Sequence, residues 1–115
     1  MLPEQLTKAL ADSTRMRIIY LLSQAGELCV CNLTETLQQD QPKISRHLAV
    51  LRKAGLVMDR RDGQWIHYRI HPDLPHWAFE VIQYLAQGAM SKPVYQTDLR
   101  RLDASLPARS SPQCD

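Results

Sequence analysis

The chain has 115 residues, of which 44% are hydrophobic, and its formal net charge at pH 7 is +2. This length suits one small globular domain with its own core, small enough to gain stability by pairing with a second copy. No apolar run approaches the length of a membrane span and the N-terminus has no signal-peptide pattern, so we expect a cytoplasmic protein without a membrane partner.

Two helices are predicted in the first quarter of the chain. Leu2, Leu6 and Leu10 recur every four residues and form a narrow apolar stripe, too little to bury the first helix alone. Asp12 is a candidate N-cap for a second helix over residues 13–24, which is predicted to be core scaffold.

A helix-turn-helix is predicted next. Residues 32–37 form a short helical segment, residues 38–41 a polar turn and residues 41–54 a longer helix. Pro42 suits the first position of the longer helix, and Gly55 supplies a left-handed stop at its end.

The helix over residues 41–54 has one apolar face and one basic face. Ile44, Leu48 and Leu51 repeat at helical spacing and face the predicted core. A charged face opposite such a stripe is often only solvated surface, so the neighbouring segments decide its role. If this helix enters the major groove of DNA, its candidate contacts are Gln41, Lys43, Ser45, Arg46, His47, Val50 and Lys53.

A β-hairpin is predicted over residues 56–70. Polar and apolar residues alternate there around Asp62 and Gly63, a strong signal for a two-residue turn. Arg60 and Arg61 lie on this hairpin and are further candidate contacts to DNA. The predicted fold class is therefore mainly α, a winged helix-turn-helix with a two-stranded wing, and the predicted partner is double-stranded DNA.

The charge distribution supports a DNA interface in this part of the chain. Residues 41–71 hold seven basic and two acidic side chains, whereas residues 1–40 hold three and five, and residues 72–115 hold four and five. The positive field is thus concentrated on the segment that is proposed to meet phosphates.

The C-terminal part begins with a long apolar helix, predicted over residues 76–90. Such a helix requires a partner beyond its own domain, so a homodimer through the first and last helices is expected. The pattern weakens after residue 92, and residues 94–102 predict another helical turn or two. We divide the chain into a DNA-binding and dimerisation domain, residues 1–92, and a C-terminal extension, residues 93–115, expected to be partly disordered.

Three cysteines are too few and too unevenly placed for a disulfide framework, so reduced thiols are expected. Cys29 and Cys31 stand at the start of the first helix of the helix-turn-helix, where the helix dipole favours thiolates, the preferred ligands of thiophilic ions. By itself a Cys-x-Cys pair is a weak metal signal, because a lone Cys is usually a small core residue. Residues two apart on a regular helix point about 200° apart, so both sulfurs are expected to reach one ion only if the helix start is distorted.

Three separated motifs together resemble the ArsR/SmtB family of winged-helix repressors, specifically its arsenical-resistance branch. They are Glu-Leu-Cys-Val-Cys-Asn-Leu at residues 27–33, Gln-Pro-Lys-Ile-Ser-Arg-His-Leu at residues 41–48, and Gly-x-Trp-x-His-Tyr-Arg at residues 63–69. The resemblance implies a homodimer that represses an arsenic-resistance operon and releases its operator when arsenite or antimonite binds as inducer. Within that pattern, Cys29 and Cys31 match two of the inducer ligands.

The third ligand departs from the family pattern. Members of this branch often have a third cysteine where this chain has Thr34. Trivalent arsenic prefers three thiolates, and Cys114 could supply one by folding back or from the partner subunit, or it could be an unattached tail residue. Some relatives bind zinc on the last helix through Asp and His pairs, but Asp73 and His76 lack a second His further along, so no such site is expected.

Two other functions compete with metalloid sensing. Cys29 and Cys31 could be oxidised in a redox-sensing repressor, or they could serve a thiol oxidoreductase. No thioredoxin-like strand–helix pattern surrounds the pair, so an enzyme is not expected, and neither catalytic residues nor a catalytic cofactor are predicted.

Overall fold

Six helices and one three-stranded antiparallel sheet make up residues 1–105, the part of the chain that this computed structural model describes. The elements in chain order are α1 (Pro3–Leu10), α2 (Ser13–Ala25), β1 (Glu27–Cys29), α3 (Val30–Leu37), α4 (Gln41–Lys53), β2 (Val57–Asp62), β3 (Trp65–Ile70), α5 (His76–Ala89) and α6 (Pro93–Ser105). None of these helices is long and apolar enough to cross a membrane.

The predicted helix-turn-helix is confirmed as α3, a short turn and α4. Gln38 takes the left-handed conformation, φ 55°, and so ends α3 abruptly. Asp40 then caps α4, because its Oδ1 accepts a hydrogen bond from the backbone N–H of Lys43 at 2.9 Å. At the other end Gly55 has φ 82°, which favours glycine, and the chain turns towards the sheet.

One hydrophobic core joins all six helices to the sheet. The predicted stripe of α4, formed by Ile44, Leu48 and Leu51, is completely buried. The core also takes fully or almost fully buried side chains from the other elements, among them Leu6, Ile18, Leu21, Leu33, Leu56, Ile82 and Leu102. The core therefore fixes the orientation of α4, and the opposite face of the helix is available to an outside partner.

The predicted hairpin is confirmed as β2 and β3, but the sheet has a third strand. The hairpin pairs run from Val57 with Ile70 to Asp62 with Trp65. On the far side of β3, β1 adds a three-residue strand in which Cys29 pairs with His67. The sequence predicted a two-stranded wing, because three residues are too short to show an alternating pattern. This added strand attaches the start of α3 to the wing.

The helix α6 is longer than the turn or two that the sequence predicted. It packs on α2 and α3, with the Tyr95 ring edge-on to Tyr20 at a centroid distance of 5.4 Å. Asp98, 1% exposed, accepts hydrogen bonds from Nε and Nη2 of Arg17 at 2.7 and 2.9 Å. These contacts raise the pKa of Arg17 and hold α6 against the core. A domain boundary at residue 92 stays a prediction, and residues 106–115 lie outside the described part.

The Arg17–Asp98 pair gives a direct test of how α6 is held. We expect Asp98→Asn to lower the free energy of unfolding by about 3 kcal/mol, because it leaves the largely buried Arg17 charge uncompensated. The measurement is urea unfolding followed by circular dichroism. Asp103→Asn is the matched control, since Asp103 is exposed on the same helix, and should change stability by less than about 0.5 kcal/mol. Equal effects of the two substitutions would contradict the assigned role of the pair.

Candidate DNA interface and cysteine site

The outer face of α4 carries all seven predicted DNA contacts of that helix. Of these, Ser45 and His47 are half-buried and the other five are exposed. Gln41 donates a hydrogen bond from Nε2 to the Ser45 Oγ at 2.9 Å, which orders the first turn. Because no acidic side chain lies on α4, the whole face has a positive potential.

His47 is less available to an outside partner than the sequence suggested. Its Nδ1 lies 3.4 Å from the Nη1 of Arg15 and 3.8 Å from the Oδ2 of Asp12, both at the start of α2. Burial lowers the pKa of His47 despite the opposing effect of Asp12, so the neutral imidazole is favoured. Arg15 also donates to the carbonyl oxygen of Ala9 at 2.7 Å. This cluster connects the end of α1, the start of α2 and the middle of α4.

The two wing arginines have different surroundings. Arg60 donates from Nε to both carboxylate oxygens of Glu27, each at 3.1 Å, and from Nη2 to Oε1 at 2.7 Å. These hydrogen bonds hold the pKa of Glu27 below its usual value. Arg61 is exposed on the opposite face of the sheet and forms no ion pair within residues 1–105. Arg61 therefore offers the more available charge to DNA phosphates.

Cys29 and Cys31 come together at the junction of β1 and α3, where their Sγ atoms lie 2.8 Å apart. Cys29 is the N-cap of α3 and has extended backbone, φ −81° and ψ 161°, with its N–H donating to the Oδ1 of Asn32 at 3.2 Å. The structure thus corrects the expectation that the helix must be distorted. Because Cys29 precedes the helix, the two sulfurs already lie side by side while α3 stays regular.

A cleft of about 190 Å³ opens beside the two sulfurs. Cys29 is almost completely buried at its base, while Cys31 is half-buried. The walls come from three elements: Val30 from α3, Gln41 from α4, and the wing residues Gln64, Trp65 and Ile66. The sequence did not assign these wing residues to the site, although the motif at residues 63–69 contained them. The cysteine pair therefore touches both parts of the candidate DNA interface.

The donor set fits two of the three thiolates that a trivalent metalloid takes. Within residues 1–105 no three His, Cys, Asp or Glu side chains are grouped to hold a metal ion. Thr34 donates its hydroxyl to the carbonyl oxygen of Val30 at 2.7 Å and faces its own helix. His76 forms an ion pair with Glu80 through Nε2 at 2.9 Å. The predicted ligand Cys114 lies outside the described residues.

A basic helix-turn-helix followed by a basic wing defines a winged helix-turn-helix DNA-binding protein. The family model described as "Bacterial regulatory protein, arsR family" matches residues 12–59. The arsenical resistance operon repressor of Escherichia coli K12 is 58% identical over 82 residues, which are 71% of this chain and 70% of that protein. The chain belongs to the ArsR family, as a transcriptional repressor of the arsenical-resistance group. It is not an enzyme, which excludes the oxidoreductase hypothesis.

Solved structures of similar proteins share the fold. The antimony-specific transcriptional repressor AntR has a TM-score of 0.60 and 29% identity, covering 73% of this chain and 76% of that one. The homodimeric winged helix-turn-helix domain of Mb0332 from Mycobacterium bovis has a TM-score of 0.63 and 30% identity, covering 76% and 80%. The predicted winged-helix architecture is thereby confirmed.

The two wing arginines form a matched pair for testing the DNA interface. We expect Arg61→Ala to weaken binding to all DNA sequences alike and to reduce the salt slope by about one, because one phosphate contact is lost. Arg60→Ala should reduce the slope by less, since Glu27 already offsets that charge. Fluorescence anisotropy titrations of labelled DNA at several salt concentrations measure both slopes. A larger change for Arg60 than for Arg61 would contradict this assignment.

Proposed function

We propose that the chain is a metalloid-responsive repressor that binds operator DNA as a homodimer and releases it when trivalent arsenic or antimony binds Cys29 and Cys31. The observation that carries the proposal is the pair of adjacent sulfurs in a cleft that both α4 and the wing help to form. AntR, which shares the fold, is an antimony-specific repressor, and the repressor of E. coli is named for arsenical resistance. The cytoplasm, where thiols stay reduced, is the expected location.

DNA binding in this proposal uses the face of α4 and the wing. Lys43 and Arg46 lie on the exposed first half of α4, where recognition helices contact base edges. Arg61 on the wing and Lys53 at the end of α4 are placed to neutralise phosphates. The buried stripe and the Asp40 cap hold this helix in one orientation, so little ordering free energy is spent on binding.

Inducer capture depends on the two thiols being already close. Trivalent arsenic and antimony prefer sulfur ligands. Arsenite at neutral pH is the acid As(OH)3, so for each thiol that binds, one As–S bond would form, one As–O bond would break, and the thiol proton and the departing hydroxide would leave as water. Because β1 and the first turn of α3 hold both sulfurs, two such bonds would require little backbone rearrangement. The bound inducer would then lie in the cleft that Gln41 and Trp65 help to line. Inducer and DNA thereby act on shared structural elements.

The candidate third ligand is Cys114 of the same chain or the partner subunit's Cys114. Thr34 offers no thiolate, and its hydroxyl donates to the carbonyl oxygen of Val30. Cys114 lies outside the described residues, and its role is proposed because trivalent arsenic prefers three thiolates.

A homodimer is supported by the exposed apolar stripe of α5. Trp77, Val81 and Tyr84 recur at helical spacing and are 39%, 37% and 68% exposed, and Leu85 beside them is 41% exposed. Gly88 continues this stripe, and a Cβ placed there would meet nothing within 4 Å in the protomer. A glycine inside a helix lowers stability by about 1 kcal/mol relative to alanine. We therefore propose that Gly88 is where the helix of the second subunit comes close to α5. The Mb0332 domain, of the same fold, is described as homodimeric.

A redox-sensing repressor is the second candidate, and the adjacency of the two sulfurs is the observation that favours it. Two-electron oxidation by a peroxide would join Cys29 to Cys31, with the peroxide reduced to water or alcohol. Arsenite and peroxide therefore have to be compared on the same protein–DNA complex. Release by peroxide alone would support the redox sensor and contradict metalloid sensing.

Cysteine substitutions test the inducer site. We expect Cys29→Ser and Cys31→Ser proteins to bind the operator and to keep it bound in arsenite, because a single remaining thiolate of the pair cannot hold the ion. Wild-type protein should lose operator affinity by about 5–150-fold at saturating arsenite, a coupling of about 1–3 kcal/mol. Anisotropy titrations with and without arsenite measure this ratio, and Cys114→Ser tests the third ligand by raising the arsenite concentration required. Release from either of the first two variants at the wild-type concentration would refute the mechanism.

The dimer is tested by placing a charge in the apolar stripe of α5. We expect Val81→Glu to produce monomers and to weaken operator binding strongly, because it places a carboxylate within an apolar interface. Gln83→Glu is the control: it adds the same charge at an exposed position two residues away. Sedimentation velocity at micromolar concentration gives the oligomeric state. A wild-type monomer that binds one half-site at full affinity would refute the proposed dimer.

A further inference from the structure

The register of the sheet places Trp65 close to the cysteine pair. Cys29 pairs with His67, and Trp65 lies two residues earlier on β3, so its side chain is on the same face of the sheet. β1 ends at Cys29, and the chain then turns into α3. Cys31 in the first turn of α3 and Trp65 on β3 therefore both lie just beyond the last pair of this ladder. Both residues line the cleft of about 190 Å³.

The cleft opens directly beside the two sulfurs, so an ion held by them would lie next to its walls. The half-buried indole of Trp65 is the largest side chain in those walls. Trp65 therefore presents the largest surface to an occupant of the cleft.

Trp65 is also connected to the DNA-binding end of the wing. It pairs with Asp62 across the last rung of the hairpin, next to the turn at Gly63. Arg61, the more available of the two wing arginines, directly precedes Asp62. The indole and Arg61 are therefore joined through the last pair and the turn of the hairpin.

We propose that Trp65 is the wing-side wall of the inducer cleft and the positioning residue through which occupation of the cysteine pair reaches the wing. This inference rests on the proposed function and names how the same site is coupled to DNA. Gln41 forms the opposite wall and is hydrogen-bonded to Ser45, so α4 provides a second route. The wing route predicts that changing Trp65 reduces the coupling between inducer and DNA more than it reduces inducer binding itself.

Tryptophan fluorescence provides a readout that does not depend on DNA. The chain has two tryptophans, so Trp77→Phe leaves Trp65 as the single emitter and Trp65→Phe leaves Trp77 on α5. Trp77 belongs to the proposed dimer stripe, so sedimentation velocity and an operator titration first check that Trp77→Phe, which keeps an aromatic ring there, still dimerises and binds DNA. We expect arsenite to change the emission of the Trp77→Phe protein over the concentration range that releases operator. The Trp65→Phe protein should show no change, and adding Cys31→Ser to Trp77→Phe should abolish the response.

The coupling is measured with a second variant, Trp65→Ala. Its operator affinity with and without arsenite should differ by a smaller factor than in wild type, while calorimetry still detects arsenite binding to the DNA-free protein. Trp65→Phe, which keeps an aromatic wall, should retain most of the wild-type factor. The inference is overturned if Trp65→Ala keeps the full factor, or if Trp65 emission stays constant while arsenite releases the operator. If wild-type protein keeps its operator at saturating arsenite, the proposed function itself fails and the inference falls with it.

Discussion

The pairing of β1 with β3 is the constraint on which the organisation of this repressor depends. Only three residues take part, but Cys29 is both the last residue of the strand and the N-cap of α3. The same residue therefore belongs to the sheet that carries the wing and to the helix that supports α4. If β1 were absent, Cys29 would lie on a loop with no fixed relation to the wing, and only Cys31 would be held, by α3.

The two sides of α4 have different roles. Its inner side is committed to the core through a completely buried leucine and isoleucine stripe, and its first turn is fixed by the Asp40 cap. The outer side carries the basic residues, and most of these are exposed. Two residues of this side have a further role. His47 contacts Arg15 and Asp12 at the start of α2, and Gln41 lines the inducer cleft. That position gives the protein a second connection between ligand and DNA besides the wing.

Periodicity explains which features could be predicted from the sequence. The helix α4 and the hairpin each have a regular pattern over more than ten residues, with a stop at Gly55 for the helix and a turn at Gly63 for the hairpin. Both were therefore predicted with nearly correct bounds. The strand β1 is too short to show a pattern, and α6 is held by distant contacts such as that of Asp98 with Arg17, 81 residues away in the chain. The two cysteines of the cleft were predicted from their residue type, but Trp65 was not, because only the register of the sheet places it there.

The Arg17–Asp98 pair also has a consequence for how the protein is made. The arginine lies in the second helix to leave the ribosome and the aspartate in the sixth, so the core cannot close until α6 has been synthesised. A chain that stops before α6 would expose the surfaces of α2 and α3 that this helix covers, with an uncompensated arginine among them. We expect cellular proteases to remove such fragments quickly, which would keep prematurely terminated repressors from competing for operator sites.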